Sequence, residues 1–397
     1  MGAKEEIDAA CRLPAPGPRL FWLDVMKGFS ILWIVVFHFF STYDPGRYPW
    51  PITFFRLIPL ARDAGGGSRV GCGAALVEGL LVGFIQRGPQ PVGVFIVLSG
   101  FGLTYSLTRT GYPRGGWGLW YRKRLVRLFP LYWIAHAVPI FSPLAHRSDP
   151  LDHRLILSLL GQRMYPAETV FYYLVPAWWF VGLLVQLYLV FPVLFMLLKR
   201  FGPVRFFMAG VVFTVGTRYL LYAVLEANGN YMQGAFFGGR LWEFSAGMVL
   251  AWLYRKHPGA VEDGFFSKRN LLVGVALYVA GVASYQPNSL CVLNDGLVAM
   301  GLFILMAQAV RRAACLSPAL GSVLTTVGVY SYGLYLLHQP YVATVGPLLS
   351  SSNFWVFSLL GSAVVLVITV LSISIEKLVN RIITGLMDRP SAALPAS

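Results

Sequence analysis

The stretch 20–42, LFWLDVMKGFSILWIVVFHFFST, most constrains what this chain can become. It is apolar and long enough to cross a bilayer, for which about 20 residues are needed. Yet it carries Asp24, Lys27 and His38. An ionisable group at the centre of a span costs roughly 2.5 kcal/mol or more, so such groups mark a function or a partner. Lys27 and His38 are eleven residues apart, close to three helical turns, which places them on one face about 16 Å apart along the axis. A cation stands near one end of this helix and a titratable imidazole near the other.

Similar apolar runs recur along all 397 residues, of which 56% are hydrophobic and 12% charged. That composition excludes a soluble enzyme and predicts an all-α integral membrane protein, a bundle of about ten transmembrane helices. The expected spans are 20–42, 92–108, 125–144, 177–198, 206–225, 233–254, 271–285, 290–310, 327–349 and 354–379. The apolar segment 74–84 is too short to cross and suits a re-entrant or interfacial helix. The segment 151–160 suits a surface amphipathic one. The first nineteen residues are polar and Pro-rich, with no cleavable signal, so the first span is expected to remain as an anchor.

With the N-terminus inside, 21 of the 32 basic residues fall in cytoplasmic segments and eight in outer ones, the remaining three lying within spans. The bias places both termini in the cytoplasm and the chain in the cytoplasmic (inner) membrane. It also accounts for the formal charge of +15 without nucleic acid. The expected domains are a cytoplasmic tail 1–19, a transmembrane domain 20–380 and a cytoplasmic tail 381–397. Cys72 and Cys291 face the oxidising side under this topology, where either a bridge or isolated thiols are compatible with the spacing. No His/Cys cluster has metal-ligand spacing, and no metal is expected.

Several residues carry possible chemistry. His38, in the outer half of its span, suits a base that takes a proton from an alcohol, or a histidine tied to a neighbouring helix. Lys27 can pair with Asp24 one turn away, or offer a point charge to an incoming phosphate. In 94–101, VFIVLSGF, Gly100 permits close helix approach and Ser99 presents a hydroxyl. Arg124 and Arg127 share a face at the inner surface, where paired guanidiniums suit phosphates and also suit anionic lipids. Arg240 and Glu243, three apart, read as a buried pair that Arg218 could join. His338, ahead of Pro340, is a second polar centre, either catalytic support or a helix tie.

Taken in order, these pieces resemble the family 3 membrane acyltransferases over about 20–376. Lys27 and His38 match the family's basic-x10-His pattern, and 95–101 its F-x-x-L-S-G-F segment. Arg124, Arg127 and Pro130 match R-x-x-R-x-x-P. The stretch 240–247 resembles R-x-x-E-F-x-x-G, and 331–338 resembles S-Y-x-x-Y-L-x-H. The chain departs at Leu184 and Val185, where relatives often carry paired Glu, and at Leu378, where they often carry Pro. The resemblance implies transfer of an acyl group, usually acetyl, from cytosolic acyl-CoA to a hydroxyl of an extracytoplasmic or lipid-linked glycan. Acyl-CoA would be a co-substrate rather than a resident cofactor, and a partner protein that relays the group is compatible. Arg124, Arg127 and Lys27 would then hold the nucleotide end, with His38 as general base or acyl carrier and Ser99 orienting the thioester or bonding to His38. The competing class is a transporter or flippase, with Lys27, Arg240, Glu243 and His338 lining a path for an anionic or lipid-linked solute.

Overall fold

The computed structural model describes residues 20–43, 69–142, 145, 149–285, 289–350 and 352–387, and no strand occurs among them. The first apolar run is α1, Phe21–Phe40. Next come α2, Arg69–Ile85, and α3, Pro91–Leu107, which opens on a proline where a missing N–H costs little. After α4, Gly116–Phe141, the short α5, His153–Leu159, is capped by the Asp152 carboxylate accepting from the Arg154 N–H. The long α6, Trp179–Tyr219, precedes α7, Leu241–Lys256. The chain continues through α8, Pro258–Phe265, α9, Lys268–Ala283, and α10, Asn294–Leu316. It ends with α11, Pro318–Val329, α12, Ser331–Leu349, and α13, Phe354–Met387.

Each expected apolar run is largely helical, but among the described residues four segments are long and apolar enough to span: Phe21–Phe40, Pro176–Val224, Leu290–Ala313 and Phe354–Gly385. Counting the bent pairs α8 with α9 and α11 with α12 raises the number to six. One boundary agrees with expectation and one differs. The runs 177–198 and 206–225 are two helices that meet at Gly202, whose φ of 78° breaks the helix just ahead of Pro203, so α6 is a kinked pair. The run 327–349 crosses a 78° bend between α11 and α12, so its first residues belong to another helix. Cys291 is a free thiol, while the Cys72 side chain and the tail 1–19 lie outside the described residues.

Between helices in lipid there is little hydrophobic gain, because the tails are as apolar as leucine, so close packing and polar ties must hold the bundle. Two glycine contacts do this around the site. A Cβ on Gly28 would collide with the Leu324 carbonyl of α11, and one on Gly328 with the Asp24 carbonyl of α1. Likewise Gly100 of α3 lies against the Phe244 carbonyl of α7, and Gly247 against the Val97 carbonyl. Aromatic clusters fill the remaining space, one around Tyr132, Trp178 and Phe191 and another around Trp22, Phe101 and Phe303. At the periphery α13 turns Leu359 and Leu366 outward, 73% and 64% exposed, as a lipid-facing helix would.

Candidate functional site

A cavity of about 870 Å³ opens among α1, α3, α4, α6 and α12, and it brings together residues far apart in sequence. Lys27, His38, Ser99, Arg124 and Arg127 all line it. The two ends differ in chemistry. The charged side chains in the wall are Asp24, Lys27, Arg109, Arg124, Arg127 and Arg255, whereas around His38 the wall is made by Ile34, Phe95, Phe180 and Tyr335. Leu184, at the position where relatives often carry Glu, is an apolar part of this wall.

The α1 helix carries His38 in its last turn, half-buried, with its ring open to the cavity. Its partner is His338 of α12, fully buried, whose Nε2 lies 3.1 Å from His38 Nδ1. His338 Nδ1 is 2.8 Å from the Tyr335 carbonyl and 3.0 Å from the Leu334 carbonyl. Carbonyl oxygens only accept, so neutral His338 carries its proton on Nδ1 and offers a lone pair on Nε2. His38 Nδ1–H therefore donates to His338, and His38 Nε2 is left with the lone pair. In this arrangement the second histidine fixes the tautomer of the first.

The start of α6 is pinned beside this pair. Tyr335 donates its hydroxyl to the Ala177 carbonyl, the Ala177 N–H donates to Gln339 Oε1, and Trp178 Nε1–H donates to the Leu336 carbonyl at 2.9 Å. Tyr335 and Ala177 both face the cavity, so these bonds shape its histidine end. Ser99 Oγ donates to the Phe95 carbonyl at 2.8 Å, one turn back in its own helix, rather than to His38. With its proton engaged, the Ser99 oxygen can accept a hydrogen bond but has none left to give.

At the charged end Lys27 Nζ lies 2.9 Å from Asp24 Oδ1, so the intrahelical pair forms while Lys27 still borders the cavity. Among the described residues, Arg109, Arg124, Arg127 and Arg255 have no carboxylate within ion-pair distance. In the sequence Arg109 and Arg255 count only towards the charge bias. Arg109, just past the end of α3, follows Ser99 and Ser106 at helical spacing, a polar stripe from which it could have been found.

Arg240 and Glu243 lie elsewhere. Arg240 Nη1 stands 2.9 Å from Glu243 Oε1 and 2.9 Å from Asp295 Oδ2. Arg218 donates to Asp295 Oδ2 at 2.7 Å and to Asn294 Oδ1 at 2.9 Å. Asp295, unforeseen from sequence, is the link through which Arg218 joins the pair. None of these residues lines the cavity, and the cluster ties α6, α7 and α10 together.

No curated protein and no solved structure matches this chain. The acyltransferase domain family of the third acyltransferase type matches residues 20–375, from the first residue before α1 into α13. With nearly the whole chain matched and an imidazole and a basic mouth in one helical cavity, this multi-pass membrane protein belongs to the family 3 acyltransferases.

Proposed function

We propose that the protein transfers an acyl group, acetyl in the simplest case, from cytosolic acyl-CoA to a hydroxyl of an extracytoplasmic or lipid-linked glycan. The observation that carries the reading is one cavity lined by arginines that have no carboxylate partner among the described residues and by His38 of the His38–His338 pair. With both termini in the cytoplasm, as the excess of basic residues in the inner segments favours, the arginines stand on the donor side.

Arg124, Arg127 and Lys27 hold the donor's phosphates, for which guanidinium pairs are well shaped. The arm extends about 16 Å along the Lys27–His38 face to deliver the thioester. Ser99, able only to accept, takes an amide N–H of that arm. His38 Nε2 removes the proton of the acceptor hydroxyl as its oxygen attacks the thioester carbonyl. The carbon–sulfur bond breaks, the thiolate leaves, and the imidazolium returns the proton to give free thiol. His338 keeps His38 Nδ1 engaged throughout and so maintains Nε2 as the base. Trp179, Phe180 and Tyr335 supply aromatic faces against which a sugar can pack at this end. Because a thioester is already activated, positioning plus a base suffices.

Protein in nanodiscs, given radiolabelled acetyl-CoA and a membrane glycan extract, tests this. Label should pass to a glycan fraction with wild type and not with His38→Ala. Ion-coupled solute movement without acyl-CoA turnover would replace this reading with a transporter.

A further inference from the structure

We infer that Arg163 is a positioning residue for the His38–His338 pair, acting through the stretch 173–178 that leads the chain into α6. This rests on the acyl-transfer reading above. It extends the machinery of that reaction to the segment 149–175, none of which lines the cavity.

Arg163 is 1% exposed, and among the described residues no carboxylate lies within ion-pair distance of it. Dipoles compensate the buried charge instead. Nη1 donates to the Val170 and Tyr173 carbonyls at 3.2 and 2.6 Å, and Nη2 donates to the Tyr132 hydroxyl and to Ser158 Oγ. Ser158 Oγ donates in turn to His136 Nε2 at 2.8 Å, while His136 Nδ1–H is held by the Tyr132 carbonyl. The His136 ring packs on Trp178 with centroids 4.3 Å apart, and the guanidinium stands 6.0 Å from the same ring. An apolar side chain of similar volume commonly serves a buried site at least as well as a charged one, so stability alone does not account for an arginine here.

What the arginine holds is a strained turn. Leu174 has a φ of 66°, and the Val175 N–H donates to the Tyr173 carbonyl at 2.8 Å, a γ-turn of the rare form. A leucine keeps such a backbone only where its surroundings fix it. Asp149 Oδ2 takes the Leu174 N–H at 3.1 Å, and Arg163 takes the Tyr173 carbonyl. The turn delivers Trp178 to a weak point of α12. Pro340, two residues past His338, has no N–H, so the Leu336 carbonyl lacks its helical partner. Trp178 Nε1–H supplies one at 2.9 Å, and Ala177 bonds to Tyr335 and Gln339. His338 thus sits where proline loosens its helix, and the residues on either side of it are held by 177–178. Arg163 sets where 177–178 lie, and His338 in turn fixes the proton on His38.

Full-length protein in nanodiscs with nitrogen-15-labelled histidine gives the test, the His38 signals being assigned by their loss in His38→Gln. Wild type should show His38 as the single Nδ1–H tautomer. Arg163→Met should show both tautomers and lower kcat per acyl-CoA-binding site roughly 10- to 100-fold, the scale of a displacement of about 1 Å, with acyl-CoA Kd unchanged. Arg163→Lys, which keeps the charge and can still donate to carbonyls, should recover part of both effects. Trp178→Phe keeps the ring and removes only the donor to Leu336, so it tests the same link if Arg163→Met does not fold, and should give the same mixture. A single His38 tautomer, or a wild-type kcat per binding site, in the variants that fold means a merely structural role and overturns the inference. If wild type turns over no acyl-CoA, a tautomer mixture confined to the variants leaves the link from Arg163 to the pair standing while the transfer reading falls.

Discussion

His338 illustrates how one residue can shape another's chemistry without reaching the substrate. Its Nδ1 is held by two backbone carbonyls, so its Nε2 must accept from His38. His338→Ala should therefore reduce kcat about 100-fold, at the lower end of what a general base contributes, with donor Kd unchanged. A variant that weakened donor binding equally would contradict the positioning role. The Arg240–Glu243 pair acts on stability instead. Glu243 is fully buried, so Arg240→Leu leaves a charge without its counterion and should cost about 3–5 kcal/mol. Arg240→Leu/Glu243→Leu removes both charges and should recover most of that loss in thermal unfolding. At this scale His38, Lys27, Arg124 and Arg127 were visible from residue type and spacing, as were the local pairs Asp24–Lys27 and Arg240–Glu243. The joining of Asp295 and the pairing of His338 with His38 were not, because those residues approach only after distant helices pack, and no local pattern encodes that distance.

At the scale of the element, two glycines set where the site's side chains fall. Gly247→Leu would force α7 away from the Val97 backbone, and overpacking of this kind costs about 1–3 kcal/mol. It should lower the melting temperature and weaken donor binding together, by shifting α7 against the α3 wall of the cavity. Away from the candidate spans, α5 offers a pH-dependent cap. The Arg154 side chain hydrogen-bonded to Asp152 holds that carboxyl below its ordinary value of 3.8. A lowered carboxylate stabilises fully above the ordinary value and loses its contribution as pH falls through the lower folded one. Amide exchange at Arg154, whose N–H donates to Asp152, should accelerate in that acidic window, and Asp152→Asn should remove the pH dependence. Helix positions were legible from apolar runs, since length in lipid is tightly bounded. The break at Gly202 falls between two of those runs, whereas the bend between α11 and α12 lies inside one and was not legible, because an apolar run looks the same whether straight or folded.

For the molecule as a whole, the central feature is that opposite chemical requirements share one cavity. Polyanion recognition needs unpaired cations near water, whereas proton removal needs an imidazole shielded from it. The helices separate these by about 16 Å along α1 alone. The family was legible because its motifs lie on the helices that wall this cavity, while the acceptor was not, because apolar and aromatic walls specify shape more than identity. Measuring donor Kd and kcat separately, in nanodiscs with labelled acetyl-CoA, tests the division most directly. His38→Ala should bind donor as wild type does and lose turnover, whereas Arg124→Ala/Arg127→Ala should raise Kd at least about tenfold with turnover largely restored at saturating donor. Wild-type turnover by His38→Ala, or donor binding indifferent to the arginines, would contradict the account.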